Sequence, residues 1–289
     1  MAVLGSLTKV EIGLRVGLGE GPVWDSVSGS IYWVDIERGR LLRTSGDLVK
    51  TEVVFECSEA VTSVAMTDAD EILVSLSNSL VLVSAGGSVR TVAELSAVAP
   101  RCRFNDSNVD AFGRYWIGSL CHHCDFKGAL YRWTPESGFV RFIDGVSIAN
   151  GLDWSSDGKW MYFVDSRARS VYRYSFDCDR GEVKSDSREV MDLSNWSGVP
   201  DGLWIDSMDG IWLAMWDGGQ IVKFDDWGDE SPSLVIAGCD RPTSGAFFGD
   251  ALDKLFVSSA QVGSELITPM WGIGLGVGRL PNRVALAGL

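Results

Sequence analysis

The sequence predicts an all-β protein, a six-bladed β-propeller of four-stranded antiparallel blades, with residues 1–289 forming one domain. A unit of two short strands and their turns recurs six times along the chain. Successive units lie roughly 40–49 residues apart, which is the period of a propeller blade. No capped helical stretch stands out. A pair of β-sandwiches would need the chain to divide near its middle, and no linker is seen there.

Each repeated unit contains two segments with the alternation and apolar content of strands. The paired segments are 31–35 with 41–43, 72–75 with 80–83, 115–118 with 129–133, 161–165 with 171–174, 211–214 with 221–224, and 255–258 with a weaker partner at 272–277. Asp-Gly turns at 157–158 and 209–210 favour hairpins. Ring closure is expected to pair a strand around residues 9–14 with strands near the C-terminus.

Composition and charge exclude several classes of partner. The chain is 46% hydrophobic and 22% charged, so it can bury a sizeable core, and its formal net charge is −14. Such acidity argues against nucleic acid or an anionic membrane as a partner. No secretory signal and no apolar run of about 18 residues is present, so we expect a cytoplasmic protein. We also expect a monomer.

The six cysteines are expected to be free thiols. One motif, Cys121-His122-His123-Cys124, has the appearance of half a zinc site. A structural zinc site requires four ligands, and the chain contains no second pair and no further histidine. The favoured interpretation is an exposed loop with two thiols.

Three segments place an oxygen-bearing side chain beside a glycine at the start of a repeated unit. They contribute Glu20, Asn150 and Asp201, each followed a few residues later by a predicted strand. If the repeats surround one axis, two carboxylates and an amide converge on a central metal-binding channel. The set would leave coordination positions for water or substrate. Oxygen donors accommodate Ca²⁺, Mg²⁺, Mn²⁺, Zn²⁺ or Fe²⁺, so the ion itself is not specified.

A fourth polar cluster lies in the third unit, before the predicted strand 115–118. It contains Arg103, Asn105 and Asp106. The guanidinium of Arg103 has the geometry to hold a hydroxyl group or an oxyanion. Taken singly, each candidate residue is more often structural: a turn residue in the case of the Asx-Gly and Glu-Gly pairs, or a surface ion pair in the case of Arg103. Asp106 can equally be a turn residue that supports Asn105.

These segments resemble the senescence-marker-protein, gluconolactonase and regucalcin family of six-bladed propellers. The resemblance covers nearly the whole chain. It rests on residues 18–24, 32–36, 103–106, 148–152, 200–202 and 241–244. Membership implies a single divalent metal held by Glu20, Asn150 and Asp201. It also implies recognition of a sugar lactone by Arg103 and Asn105, with Asp201 as general base for the hydrolytic water.

The chain departs from the family pattern at two places. Ser107 stands where the family usually has a glycine after its Asn-Asp pair. The loop after the third inner strand often carries an acidic substrate contact in the family. Here that loop includes His123 and Asp125, so either residue is a candidate for this contact, and His123 is our prediction.

The resemblance implies a metal-dependent lactonase that opens the ester ring of an aldonolactone, such as a glucono-, xylono-, arabino- or galactonolactone. One alternative is a calcium-binding regulatory propeller without catalysis, since the same oxygen ligands suit Ca²⁺. Another is an esterase or phosphotriesterase that acts on a substrate other than a sugar.

Overall fold

A computed structural model of the chain describes residues 7–95, 102–121, 127–229, 234–237, 239–260, 270–273 and 278–287. Throughout these ranges the backbone forms strands, turns and bends, with no α-helix. It follows that no described helix has the length and apolar character needed to cross a membrane.

The strands of the described residues pair into six antiparallel sheets of four. The first three sheets are β2 (Gly19–Asp25), β3 (Ser30–Asp35), β4 (Arg40–Ser45) and β5 (Thr51–Glu56); β6 (Ser63–Met66), β7 (Glu71–Ser75), β8 (Ser79–Ser84) and β9 (Val89–Glu94); and β10 (Cys102–Val109), β11 (Tyr115–Cys121), β12 (Gly128–Thr134) and β13 (Gly138–Val146). The other three are β14 (Ala149–Trp154), β15 (Trp160–Asp165), β16 (Ser170–Asp177) and β17 (Glu182–Asp192); β18 (Val199–Ile205), β19 (Ile211–Trp216), β20 (Gln220–Phe224) and β21 (Leu234–Ala237); and β22 (Pro242–Phe248), β23 (Lys254–Ser259) and β24 (Met270–Ile273) with β1 (Thr8–Lys9).

The first strands of the six sheets form a closed ring. Each contacts the first strand of the next sheet, in the order β2, β6, β10, β14, β18 and β22, and β22 contacts β2 again. These strands therefore line a common axis, and the prediction of an all-β propeller with antiparallel blades is confirmed.

Apart from 272–277, the predicted strands lie inside observed ones, which extend beyond them by one to three residues at one end or at both. The weakest prediction, 272–277, falls partly in β24, while residues 274–277 lie outside the described part of the chain. Ring closure is confirmed through β1, whose Thr8 and Lys9 pair with Trp271 and Met270. Residues 10–14 do not belong to that strand.

One expectation about position is wrong. The candidate segments were placed in turns before the inner strands, with 115–118 as the inner strand of the third unit. In the structure these segments lie on the innermost strands themselves, and 115–118 belongs to the second strand, β11. The reason is that the innermost strands carry glycines and polar residues, which interrupt the alternation by which strands are recognised.

Five of the innermost strands also contain a bulge. In each, pairing with the second strand shifts by one residue, so that one extra residue is accommodated on the inner strand. The shifts lie between Glu20 and Val23, Phe104 and Ser107, Ala149 and Leu152, Pro200 and Leu203, and Pro242 and Ser244. A bulge redirects side chains, and four of the five contain a candidate site residue: Glu20, Asn105, Asn150 or Asp201.

Buried tryptophans anchor the turns that leave the innermost strands. The indole N–H groups of Trp116 and Trp212, both fully buried, donate to the carboxylates of Asp110 and Asp206 at 2.9 and 2.8 Å. Asp206 also accepts hydrogen bonds from the backbone N–H groups of Met208 and Gly210. One carboxylate thereby satisfies the turn backbone and a core side chain together, in the third sheet and again in the fifth.

Residues 278–287, which we call the strap, run across one end of the ring and bond to every sheet. Its hydrogen bonds, in order from the sixth sheet to the first, join Gly278 to Leu252, Arg279 to Ile205 and Trp154, Asn282 to Val109, Val284 to Met66, and Arg283 to Asp25. Arg279 also forms an ion pair with Asp153, at 3.3 Å. Its partners lie at or just beyond the points where the innermost strands end, so the strap lies at that end of the ring.

The strap is held by apolar burial as well as by hydrogen bonds. Val284 is fully buried and Leu286 nearly so, in a cluster with Tyr115 and Ile117. Replacing Val284 with Ala should lower the free energy of unfolding by about 1–3 kcal/mol, because two buried methyl groups leave a cavity. The matched control is Val27→Ala, since Val27 is 82% exposed and its loss should be nearly neutral.

Chemical denaturation of the two variants measures this difference. Equal stability of the Val284 and Val27 variants would contradict the role of the strap.

Candidate metal and substrate site

The structure brings the candidate residues of four sheets to one place on the ring axis. Glu20 lies on β2, Asn105 on β10, Asn150 on β14 and Asp201 on β18. The amide nitrogen Nδ2 of Asn105 lies 2.6 Å from the Oδ1 of Asn150, and the carboxylates of Glu20 and Asp201 repel each other electrostatically. Residues separated by up to about 180 positions in the sequence therefore form one cluster.

The approach of neighbouring strands explains the glycines after Asn150 and Asp201, whereas Gly21 after Glu20 has open space around it and a left-handed φ of 51°. A β-carbon on Gly202 would lie 2.6 Å from the Oγ of Ser244 and from the carbonyl oxygen of Thr243 on β22. One on Gly151 would collide with the backbone of Leu203 on β18. Only glycine lets these strands lie so close, and the closeness brings the adjacent side chains together.

A chain of hydrogen bonds orients the amides of the site. The Nη1 of Arg103 donates to the Oδ1 of Asn105 at 2.6 Å. The Nδ2 of Asn105 donates to the Oδ1 of Asn150 at 2.6 Å and to the carbonyl of Ala149 at 2.8 Å. The Nδ2 of Asn150 is held by the Oγ of Ser166 at 2.7 Å. Asn150 therefore presents its carbonyl oxygen, rather than its amino group, toward Asn105.

This chain refines the role expected of Asn105. Both of its amide hydrogens are used within the protein, so toward a ligand it has only the second lone pair of Oδ1. Asn105 bridges Arg103 and Asn150, and its capacity for contact with a substrate is that of an acceptor.

The two carboxylates of the set are buried and poorly compensated. Glu20 and Asp201 are 9% and 6% exposed. Glu20 accepts one hydrogen bond, from the backbone N–H of Gly21 at 3.2 Å, and no described residue donates one to Asp201. Burial, and then the charge of Asp201, raise the pKa of Glu20 well above its usual range. Burial, and then the charge of Asp106, do the same to the pKa of Asp201.

A third carboxylate, Asp106, adds to this negative charge. Burial raises its pKa to about 6, and it accepts a hydrogen bond from the backbone N–H of Ser107 at 2.8 Å. The sequence suggested a turn residue for this position. The structure instead places Asp106 at the bulge of β10, within electrostatic range of Glu20 and Asp201.

Arg103 supplies the positive charge nearest to these carboxylates. Burial lowers its pKa to about 10, while Glu20 and Asp201 oppose that shift, so the guanidinium is protonated at neutral pH. Its Nη1 group is engaged by the carbonyl of Phe104 and by Asn105. The Nε and Nη2 groups have no acceptor among the described residues, which leaves them for an oxygen-rich ligand.

The donor set fits a divalent cation. Asp201 is a buried carboxylate without a hydrogen-bond donor, beside a second carboxylate and an oriented amide oxygen. Desolvated like charges are unfavourable unless a cation offsets them. Within the described ranges no three His, Cys, Asp or Glu side chains form a ligand group, so a cation held here would need the amide oxygen of Asn150 in addition to Glu20 and Asp201.

Two sequence predictions concern the loop after β11. His123 lies among residues 122–126, outside the described part of the chain, and so does Cys124. Cys121 was expected in an exposed loop, and this is wrong, because it is 1% exposed at the end of β11. Its place in a strand with buried neighbours explains the difference. Among the described cysteines, Cys57, Cys178 and Cys239 are free thiols.

Sequence reasoning missed Ser166, which fixes the amide of Asn150. Nothing in the sequence marks it, since it follows the predicted strand 161–165 in an ordinary turn. It did single out Ser107 and Asp106, but only as a departure and as a support for Asn105. The bulge of β10 is the feature that would have revealed the position of these two residues beside the site, and the sequence does not display it.

A family model and two related sequences all point to the same protein family. Residues 18–261 match the family model described as the SMP-30/Gluconolactonase/LRE-like region. The chain is 30% identical to the proposed sugar lactone lactonase YvrE of Bacillus subtilis, over 87% of this chain and 86% of that protein. It is 31% identical to regucalcin of Gallus gallus, again over 87% and 86%.

A solved structure is similar throughout. Regucalcin of Agrobacterium tumefaciens, described as a calcium-binding protein, matches with a TM-score of 0.87 and 23% identity over 100% of both chains. At this level of identity the likeness shows a common fold.

The raised pKa values predict how pH acts on the protein without divalent ions. Folded Glu20 and Asp201 keep protons that the unfolded chain has already released, so stability falls as pH rises from about 4 toward the folded pKa values. Each unit of displacement corresponds to about 1.4 kcal/mol. In a chelating buffer, raising the pH from about 5 to about 7 should therefore lower the stability of Asp201→Asn less than that of the wild type.

Scanning calorimetry measures this effect, with Asp250→Asn as control because Asp250 is exposed. Divalent ions should raise the wild-type midpoint more at the higher pH, where both carboxylates are ionised. A wild-type pH slope in the Asp201 variant would contradict the buried-charge account.

Proposed function

This chain belongs to the SMP-30/gluconolactonase/LRE-like family, and from that premise we propose that it is a metal-dependent lactonase. Its substrate would be a small sugar lactone, such as a glucono-, xylono-, arabino- or galactonolactone, opened to the aldonic acid. Residues 1–289 would work as one propeller domain. The observation that carries the proposal is the guanidinium of Arg103, whose Nε and Nη2 groups meet no acceptor in the described ranges and stand beside two buried carboxylates and an oriented amide.

Glu20, Asn150 and Asp201 would hold one divalent ion. When bound, the ion supplies positive charge that polarises a carbonyl oxygen and offsets the negative charge of the tetrahedral stage. All three donors are oxygen atoms, a set that suits hard cations such as Ca²⁺, Mg²⁺ and Mn²⁺. The proposal rests on the fit of the donor set described above.

The residues of the chain would perform the proton transfers and the positioning. Asp201 accepts a proton from a water molecule as the water oxygen bonds to the lactone carbonyl carbon. The bond between that carbon and the ring oxygen then breaks, and the proton passes to the ring oxygen, which leaves as a hydroxyl group. Arg103 donates hydrogen bonds to substrate oxygens, and Asn105 accepts one from a hydroxyl. His123 remains a candidate for a further contact.

The test is proton release from a panel of aldonolactones at near-neutral pH. Metal-stripped protein is assayed with single divalent ions added back, and spontaneous hydrolysis is subtracted. We expect ion-dependent hydrolysis of one or a few lactones, and a loss of at least about a thousandfold in kcat/KM for Asp201→Ala, since base and ligand are lost together. Asp225→Ala, an exposed carboxylate, is the control.

Circular dichroism shows whether each variant is folded, and Asp201→Asn offers a substitution that keeps the shape of the side chain. Wild-type rates in both Asp201 variants would remove that residue from the mechanism. No ion-dependent hydrolysis of any lactone would remove the lactonase proposal.

A second candidate is a calcium-binding protein without catalysis. The observation that favours it is the all-oxygen donor set, together with relatives that bear the name regucalcin. The two functions make different demands on Arg103. A calcium site has no use for a buried cation next to its ligands, because the charge opposes ion binding.

Arg103→Ala therefore separates the candidates. For a lactonase we expect kcat/KM to fall by about 10- to 1,000-fold, because charge-assisted hydrogen bonds to the substrate are lost, while Ca²⁺ binding is retained or strengthened. Steady-state kinetics and titration calorimetry measure the two effects, with Arg141→Ala, an exposed arginine, as control. Unchanged kinetics in Arg103→Ala would remove Arg103 from the lactonase site, whereas Ca²⁺ binding without hydrolysis of any lactone by the folded wild type would favour the binding protein.

A further inference from the structure

Two cysteines lie directly opposite each other on neighbouring strands of the third sheet. Cys102 begins β10 and Cys121 ends β11, and the register of these antiparallel strands pairs the two residues. Residues that are opposite each other in this way project their side chains from the same face of the sheet. That face is the one toward Tyr131 of β12, which contacts the ring of Phe104 and lies within electrostatic range of Cys102. The two sulfur atoms therefore leave one surface at adjacent points.

The cysteine pair occupies the narrower of the two kinds of position in an antiparallel sheet. The two kinds alternate along the strands, and only in the wider one do the paired residues exchange backbone hydrogen bonds. The backbone N–H of Phe104 donates to the carbonyl oxygen of Ser77 in the second sheet, at 2.8 Å, so it is not available to Ser119 opposite it on β11. Phe104 and Ser119 are thus a non-hydrogen-bonded pair. Two residues along, Cys102 and Cys121 are another.

This kind of position fits the geometry of a disulfide. The α-carbons of a non-hydrogen-bonded pair lie about 4.5 Å apart, and disulfides span α-carbon distances of about 4.4–6.8 Å. The two cysteines differ in accessibility, since Cys102 is half-buried and Cys121 is 1% exposed. An oxidant from solvent therefore meets Cys102 first, and Cys121 can react with the sulfur of Cys102 from within the sheet.

We propose that Cys102 and Cys121 form a reversible disulfide, with a low-molecular-weight disulfide such as oxidised glutathione as the oxidant. The thiolate of Cys102 attacks one glutathione sulfur, a mixed disulfide forms, and the other glutathione leaves as a thiolate. The thiolate of Cys121 then attacks the sulfur of Cys102, and the second glutathione leaves. Two electrons pass from the cysteines to the oxidant, and the two thiol protons pass to the glutathione thiolates or to solvent.

The bond would act on the strand that carries Arg103 and Asn105. Arg103 follows Cys102 directly, so a cross-link at this point anchors the start of β10 to β11. A disulfide restricts the unfolded chain, and the oxidised protein should therefore unfold at a higher temperature than the reduced protein. In reducing compartments such bonds are transient and respond to the redox state. Neither step involves the proposed metal or substrate, so the bond can be tested whether or not the protein hydrolyses lactones.

The experiment treats the folded protein with oxidised glutathione, alkylates the remaining thiols under denaturing conditions and maps the peptides by mass spectrometry. In the wild type we expect Cys102 linked to Cys121 and an alkyl group on Cys124, with full reversal by dithiothreitol. Cys121→Ala should retain glutathione on Cys102, because the second step is lost. Cys102→Ala should leave Cys121 without glutathione, since it is buried. Cys57→Ala and Cys124→Ala are the controls and should form the bond as the wild type does.

The peptide map of the wild type decides the proposal even where a variant fails to fold. Wild-type protein that retains glutathione on Cys102 and forms no bond to Cys121 would overturn it. A disulfide that persists in Cys102→Ala and is lost in Cys124→Ala would also overturn it, because the pair would then be Cys121 with Cys124. Scanning calorimetry adds a second measurement: an oxidised protein that carries the bond and unfolds no higher than the reduced one would contradict the anchoring of β10.

Discussion

The close approach of the innermost strands is the constraint on which the site depends. Six strands around one axis leave no room for side chains at the points of nearest contact, so glycine stands at 151 and 202. In the bulges of β14 and β18, Asn150 and Asp201 directly precede that glycine. The packing of the strands and the position of the oxygen donors therefore depend on the same local features, the glycine and the bulge.

Convergence of this kind has an electrostatic cost. Glu20, Asp106 and Asp201 are brought together away from water, and Arg103 is the described cation among them. One positive charge does not balance three carboxylates, and the upward displacement of their pKa values expresses the deficit. The fold stores unfavourable energy at the axis, and a divalent cation is the simplest species that would release it. In the proposed metal site, affinity for the ion and instability of the protein without it would have the same physical origin.

Much of the architecture could be predicted from the sequence because it rests on local rules. Strands such as β15 and β19 form short apolar runs, and the repeat of roughly 40–49 residues orders the strands into blades. The candidate ligands were recognised by recurrence beside glycine. Their location on strands was not, because a bulge hides the alternation that identifies a strand.

Other features had no signal in the sequence. The buried hydroxyl of Tyr115 is hydrogen-bonded to Ser63 and Ser107, which belong to two sheets, and no spacing along the chain relates these two serines. The strap bonds largely through its backbone and through Arg279 and Arg283, and no periodic pattern marks such a segment. His123 stays a prediction.

The strap changes the way in which the ring can come apart. In repeat proteins each unit touches only its neighbours, so a unit can open while the others persist. Here residues 278–287 bond to all six sheets, and the pair of Arg283 with Asp25 joins positions 258 residues apart. Loss of any one sheet releases contacts shared with the other five. The fold therefore resembles a single cooperative unit more than an array of blades, and so distant a contact forms only after most of the ring is in place.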